Sequence, residues 1–122
     1  GVVIEDNVEI GANTVVVRGV LNNTYIGKNT KIGPSCVIGH NVVIGGNSML
    51  AGNNAIAGSC TIGDNVWIGM SASISDGLNI GDKSSITIGS VVMNNVNSLS
   101  KVTGYLAQEH DKFLINYLRI FR

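Results

Sequence analysis

Two histidines occur in this 122-residue sequence, and histidine is the side chain best suited to take up a proton near neutral pH. His40 follows Ile38 and Gly39, and Gly58 lies eighteen residues further along. The imidazole of His40 could remove the proton of an attacking amine or hydroxyl, and the backbone N–H of Gly58 could hold the charge that develops on a carbonyl oxygen. If the fold brings the two residues together, they would pair a general base with a donor for an oxyanion.

The spacing of aliphatic residues predicts how these residues are positioned. Every sixth residue from Ile26 to Val92 is a large aliphatic, and Ile4, Ile10 and Val16 keep the same spacing earlier in the chain. The ten-residue gap between Val16 and Ile26 predicts a loop around residues 20–23. A six-residue unit of a short strand and a corner cannot bury its own aliphatic face, but three units close an 18-residue coil, and coils stack into an all-β solenoid. A rectangular coil is the alternative to this three-walled one.

Residues eighteen apart lie one above another in such a stack. His40, Gly58, Asp76 and Asn94 therefore form one column, with His40 and Gly58 on neighbouring rungs. Asp76 lies two rungs from His40, about 10 Å away, which is too far for a direct hydrogen bond.

Residues just before each aliphatic point outward, and residues two before it point inward. Met49 and Trp67 are therefore stacked on one outer wall, where they form either a subunit interface or a surface for an acyl or pantetheine chain. Cys36 and Cys60 occupy inward positions on different walls. This makes them poor nucleophiles and a poor disulfide pair.

The repeat ends near residue 103, and residues 105–122 have the 3.6-residue apolar spacing of a helix. We expect this helix either to cap the open end of the solenoid or to pack against the same helix of neighbouring subunits. His110 falls in it, in a packing role.

The charge balance and the length of the apolar stretches limit the kinds of partner and the location that we expect. Eight basic and eight acidic side chains leave no net charge, which disfavours nucleic acid as a partner. No apolar stretch reaches the ~20 residues of a membrane span, and no signal peptide precedes the repeat, so a cytoplasmic protein is expected.

Three segments resemble the UDP-3-O-acylglucosamine N-acyltransferases, which belong to the hexapeptide-repeat acyltransferases. They are Ile4-Glu5-Asp6-Asn7-Val8-Glu9-Ile10-Gly11-Ala12-Asn13-Thr14 with Arg18-Gly19, Ile38-Gly39-His40-Asn41-Val42, and Leu50-Ala51-Gly52 leading to Ile56-Ala57-Gly58-Ser59. The resemblance implies a left-handed parallel β-helix of hexapeptide repeats with a C-terminal α-helix, assembled as a homotrimer. It divides the chain into an acyltransferase domain at residues 1–103 and the helix at 104–122. The uridine-binding domain of that family is absent from this sequence.

The same resemblance implies a reaction. An acyl carrier protein or coenzyme A thioester would donate its acyl group to the amine of a nucleotide-linked amino sugar, as in lipid A biosynthesis. No tightly bound cofactor or metal is expected beyond this phosphopantetheine-linked donor. His40 would be the base and Gly58 would hold the oxyanion, and we expect substrate contacts from Asn41, Asp76, Met49 and Trp67.

Val17, Gly77 and Leu106 differ from the residues that the family usually has at these positions. The resemblance therefore leaves the acyl donor and the acceptor open. One alternative is an acetyl-CoA-dependent acetyltransferase for another sugar, and another is a structural solenoid without catalysis. A γ-class carbonic anhydrase would need three histidine ligands for its zinc, whereas the sequence has two histidines.

Overall fold

The computed structural model describes residues 1–120, which form a parallel β-solenoid followed by one helix. The strands are β1 (Val2–Ile4), β2 (Glu9–Ile10), β3 (Val15–Val16), β4 (Thr24–Ile26), β5 (Lys31–Ile32), β6 (Val37–Ile38), β7 (Val43–Ile44), β8 (Met49–Leu50), β9 (Ala55–Ile56), β10 (Thr61–Ile62), β11 (Trp67–Ile68), β12 (Ser73–Ile74), β13 (Asn79–Ile80), β14 (Ser85–Ile86), β15 (Val91–Val92) and β16 (Lys101–Val102), and the helix is α1 (His110–Ile120). The solenoid matches a left-handed β-helix, as expected.

The strands stack into three sheets, which are the three walls that a strict six-residue period predicts. Sheet A has the order β1-β4-β7-β10-β13, sheet B has the order β16-β14-β11-β8-β5-β2, and sheet C has the order β15-β12-β9-β6-β3. In the middle coils each strand pairs with the strand eighteen residues on, as Ile38 does with Ile56. The triangular coil is confirmed and the rectangular one is wrong.

The first and last coils do not have the eighteen residues of the middle coils. Val16 pairs with Ile38, twenty-two residues away, so the first coil contains the predicted insertion at residues 20–23. Ile80 pairs with Val96 and Ile86 pairs with Val102, so the last coil is two residues short. The shortening falls between Val92 and Val96, where the aliphatic spacing drops from six to four.

The core is a column of aliphatic side chains from each wall. The aliphatic residues of the repeat are almost fully buried from Ile26 to Val96, whereas Ile4 and Ile10 in the first coil are exposed. Small polar residues share the inward face because they can hydrogen-bond to the backbone. Thr30 Oγ1 donates to the carbonyl of Gly45 and Ser48 Oγ to that of Gly63. No buried side-chain nitrogen or oxygen of residues 1–120 lacks a partner.

Each corner contains two residue types with different structural roles. At almost every corner the residue three after the aliphatic adopts the left-handed backbone, which asparagine tolerates well; Asn41 has a φ of 59°. The corners after Val16 and Val92 are the exceptions. The glycine directly after the aliphatic has another role. A Cβ on Gly39 would fall 2.7 Å from the backbone nitrogen of Gly58 on the next rung, so this glycine allows the coils to stack closely.

The helix is shorter than expected and does not cap the solenoid. Tyr105 has a φ of 63°, which is incompatible with a right-handed helix, so the helix begins later in the chain. Glu109 caps its first turn. The Glu109 carboxylate accepts the N–H groups of Asp111 and Lys112, as a residue at the start of a helix should. None of the helix residues is buried, and His110 is exposed rather than packed. The two final positions of the predicted helix lie outside the described residues.

Candidate active site

The predicted site lies on the edge of the prism where sheet C turns into sheet A. His40 stands between β6 and β7, and Gly58 stands between β9 and β10. The pairing of Ile38 with Ile56 places the two residues on neighbouring rungs of this edge. The pairing of Ile56 with Ile74 places Asp76 one rung above Gly58.

The imidazole of His40, from the rung below, packs directly against Gly58. A Cβ on Gly58 would fall 2.7 Å from Cδ2 and 2.8 Å from Cε1 of the ring, and its nearest atom would be Nε2. The ring therefore occupies the space that any side chain at position 58 would need. Gly58 is required here for close approach, since its φ is not positive.

The N–H of Gly58 makes no hydrogen bond within residues 1–120, and this contrasts with the equivalent corner on the next edge. There, the N–H groups of Gly46 and Asp64 donate to Oδ1 of the aspartate one rung above, each at 2.8 Å. A carboxylate can therefore reach this position of the corner from outside. At Gly58 the equivalent aspartate, Asp76, accepts instead from its neighbour Ser75. The N–H of Gly58 is thus open to an oxygen of a ligand beside the imidazole of His40.

Asn41 contacts His40 but is occupied within the chain. Its Oδ1 lies 3.2 Å from Nδ1 of His40 and also accepts the N–H of Val20 at 3.1 Å. Its Nδ2 donates to the carbonyls of Val20 and Asn22, each at 3.2 Å. Both polar atoms of the side chain are used, so its expected contact with substrate would require one of these bonds to break.

An apolar groove that the sequence did not lead us to expect runs up the outer face of sheet C from the His40 edge. Its volume is about 380 Å³. Small residues form its floor and larger ones its two ends; those that line it include Val37, Gly39, Ala55, Ala57, Ser73, Ser75, Val91 and Met93. The signal was available, because Val37, Ala55 and Val91 occupy the same outward position of the repeat as Met49 and Trp67.

Met49 and Trp67 stack as predicted but lie far from this groove. Trp67 pairs with Met49 in sheet B, and the two side chains are 45% and 37% exposed. Sheet B is the wall that does not meet the His40 edge. Within one chain, the structure therefore brings His40, Gly58 and Asn41 together, places Asp76 two rungs above His40, and keeps Met49 and Trp67 apart from them.

The cysteines are buried and free. Burial raises the pKa of the Cys60 thiol, against hydrogen bonds with the backbone of Leu78 and Gly77 that lower it, and the thiol donates to the carbonyl of Ser75. A raised pKa keeps the thiol neutral, which removes the nucleophilic thiolate.

Within residues 1–120, no group of three or more His, Cys, Asp or Glu side chains could hold a metal ion. In the same range, no helix has the length and apolarity needed to cross a membrane.

Two family models match most of the solenoid. The model described as bacterial transferase hexapeptide (six repeats) matches residues 23–58. The model described as hexapeptide repeat of succinyl-transferase matches residues 1–21 and 60–95. The segment with His40 and Gly58 lies entirely within the first match.

Solved structures share the fold. A hexapeptide transferase family protein from Anaplasma phagocytophilum is 23% identical, with a TM-score of 0.76 over 98% of this chain and 80% of its own. A GDP-perosamine N-acetyl transferase from Caulobacter crescentus, in complex with CoA and GDP-perosamine, is 22% identical, with a TM-score of 0.69 over 88% of this chain and 52% of its own. The UDP-N-acetylglucosamine acyltransferase of Arabidopsis is 25% identical, with a TM-score of 0.62 over 95% of this chain and 42% of its own. The chain thus spans about half of each of the last two proteins.

Proposed function

The chain belongs to the hexapeptide-repeat transferases, and from this premise we propose that it is an acyltransferase in which His40 is the general base. The donor is a phosphopantetheine thioester, carried by coenzyme A or by an acyl carrier protein. The acceptor is the amine of a nucleotide-linked amino sugar, as in lipid A biosynthesis, and the reaction takes place in the cytoplasm. One observation carries the proposal: the imidazole of His40 packs against Gly58, whose N–H has no partner among the described residues.

The reaction follows from these two groups. The amine attacks the thioester carbonyl while Nε2 of His40 takes its proton. The N–H of Gly58 donates to the carbonyl oxygen as it becomes negative. The tetrahedral intermediate then collapses, the C–S bond breaks, and His40 returns the proton to the departing thiolate. The products are an amide and a free thiol.

The groove on sheet C offers a place for the donor. It is apolar, it starts at Val37 and Gly39 on the rung of His40, and it continues to Met93. A pantetheine arm or an acyl chain lying along it would bring its thioester to the edge where Gly58 lies. This assignment gives the donor a binding surface within a single chain, which Met49 and Trp67 do not provide.

An acetyl-CoA-dependent sugar acetyltransferase is the second candidate. The Caulobacter crescentus protein that shares the fold is named as an N-acetyl transferase, and its structure contains CoA and GDP-perosamine. The same two residues would perform this reaction, so the acyl donor and the sugar acceptor separate the two candidates.

The test is acyl transfer by the purified chain. Acetyl-CoA, long-chain acyl-CoA and acyl carrier protein thioesters would each be incubated with UDP- and GDP-linked amino sugars, and both thiol release and the mass of the sugar product would be measured. His40→Ala should lower kcat/KM by at least ~100-fold, the smallest loss expected for a general base. His110→Ala, on the exposed helix, is the matched control and should behave as the native protein does. Transfer that His40→Ala leaves unchanged, or the absence of amide product with every pair, would contradict the proposal.

A further inference from the structure

The loop inserted into the first coil lies beside the His40 edge and is joined to it through Asn41. Asn41 donates Nδ2–H to two carbonyls of this loop, those of Val20 and Asn22, and accepts the N–H of Val20. Its own backbone N–H donates to Oγ1 of Thr24, which directly follows the loop. Among the described residues, Asn41 is the one residue outside the loop to which residues 20–23 hydrogen-bond, and it is the neighbour of His40 in the chain.

These contacts fix the orientation of the Asn41 amide. The two carbonyls of Val20 and Asn22 can only accept, so the atom that faces them must be the nitrogen. The N–H of Val20 can only donate, so the atom that faces it must be the oxygen. The loop backbone, and not the imidazole, decides which atom of the amide points at His40.

The amide orientation in turn selects a tautomer of His40. Oδ1 of Asn41 has no hydrogen to donate and lies 3.2 Å from Nδ1 of the ring. The contact is favourable when Nδ1 carries the proton, and Nε2 then keeps its lone pair. Nε2 is the ring atom closest to the position that a side chain on Gly58 would occupy, so the basic nitrogen faces Gly58.

Asn53, the corner asparagine two corners further along the chain, makes a different contact. It also has a left-handed backbone, but it donates Nδ2–H to Oγ of Ser71 on the next rung and touches no loop. The difference follows from the insertion, because in the coils above the first no extra residues lie below a corner.

We propose that Asn41 is a positioning residue that couples the tautomer and orientation of His40 to the conformation of the loop at residues 20–23. The proposal rests on the proposed function for its catalytic meaning. Its structural content is independent of that function, because the tautomer of a free imidazole can be measured without substrate. Any change that moves the loop backbone would then change the fraction of molecules with a basic Nε2.

The test is nitrogen NMR of the protein labelled with ¹⁵N-histidine, recorded at alkaline pH. Only two histidines contribute signals, and His110→Gln assigns the one from His40. The native protein should show the Nδ1–H form of His40. Asn41→Gly keeps a residue that tolerates the left-handed backbone but removes the amide, and it should shift the tautomer ratio toward Nε2–H by about fivefold to tenfold, the equivalent of one hydrogen bond. Asn47→Gly, at a corner with a φ of 56°, is the matched control and should leave the ratio unchanged.

A second variant tests the loop itself. Deleting residues 20–23 restores the six-residue spacing from Val16 to Ile26, so it should fold, and it removes the loop partners of Asn41 without changing His40 or Asn41. We expect the same loss of the Nδ1–H form as in Asn41→Gly. A native ring in the Nε2–H form, or a deletion variant with the native ratio, would overturn the coupling.

Activity measurements separate this inference from the proposed function. If both hold, Asn41→Gly should lower kcat about tenfold with little change in KM, because the base is present but less often in the reactive form. If His40→Ala retains transfer while the tautomer shifts as described, the proposed function fails and the coupling stands. If His40→Ala abolishes transfer and the tautomer ratio does not respond to Asn41 or the loop, the coupling alone fails.

Discussion

At the residue scale, Gly58 has two properties that the site requires: it has no side chain where the ring of His40 lies, and its backbone N–H has no partner within residues 1–120. The first permits the imidazole to approach the backbone of Gly58 closely. The second gives a developing oxyanion a donor in the same place. A larger residue would keep the N–H and lose the room, so the two properties can be separated by mutation.

Gly58→Ala should therefore lower acyl transfer while the fold remains. The added methyl group would fall within 2.8 Å of two ring carbons of His40, and the exposed imidazole would have to swing away. We expect kcat/KM to fall at least about tenfold, as befits a displaced base, with a change in unfolding free energy of about 1 kcal/mol or less because a flexible side chain can move. Turnover and urea unfolding measure the two effects.

The matched control is Gly104→Ala. A Cβ there would meet no atom closer than 4.0 Å, so both turnover and stability should stay near native values. Native turnover in Gly58→Ala would mean that the position of the His40 ring is not important for the reaction.

Sequence and structure agree that His40 and Gly58 are in contact, because both positions follow from counting. A strict repeat converts a sequence separation of eighteen into vertical contact, so a column can be identified before any coordinates exist. The role of Asn41 could not be predicted in this way. It depends on the path of a loop that interrupts the repeat, and the path of an insertion has no period to reveal it.

At the scale of the elements, each two-residue strand presents one side chain to the core and one to solvent. Ile44 in β7 is completely buried, whereas its neighbour Val43 is 37% exposed. The strand is so short that its stability comes almost entirely from the packing of the inward residue and from hydrogen bonds to the rungs on either side. Burial of one aliphatic side chain contributes about 1.5 to 3 kcal/mol.

Ile44→Ala should accordingly destabilise the solenoid far more than Val43→Ala does. The first change leaves a cavity in a column of aliphatics and should cost about 2 to 5 kcal/mol of unfolding free energy. The second removes exposed methyl groups from the same strand and should cost less than about 1 kcal/mol. Urea unfolding followed by circular dichroism compares the two. Equal losses would mean that the two faces of the strand do not differ in burial.

The period predicts the middle elements well and the last ones poorly. Between Ile26 and Val92 the spacing is strict, and all the expected strands form. Beyond Val92 two residues are missing from a corner, and Val96 and Val102 resume the pattern in a shifted register. The helix begins five residues later than its apolar spacing indicates, because the carboxylate of Glu109 caps the first turn and Tyr105 has a left-handed backbone. Corner deletions and capping contacts are local events that periodicity does not encode.

At the scale of the whole molecule, the three walls differ in chemistry. The outer face of sheet C is apolar and adjoins the His40 edge, and sheet B has Met49 and Trp67 above an ion pair between Lys31 and Glu9. A homotrimer, which the family resemblance implies, would give both walls a role. In a closed ring of three copies each contact is heterologous, so one wall of a chain faces a different wall of its neighbour. A sheet B surface that cannot reach its own His40 could then approach the edge of the next copy.

Trp67→Glu tests that arrangement. A carboxylate in place of the half-exposed indole would be buried without a partner in any interface that sheet B forms, so assembly should weaken. We expect the variant to sediment as smaller species at protein concentrations where the native chain is trimeric, and to lose acyl transfer in parallel. Raising the protein concentration should restore both together, because the defect lies in association and not in the base. Asn79→Glu, which adds the same charge to the exposed face of sheet A, measures the effect of charge alone. A Trp67→Glu protein that sediments and binds its donor as the native chain does would remove this wall from both assembly and donor binding, and would leave the groove on sheet C as the sole apolar surface in the proposed mechanism.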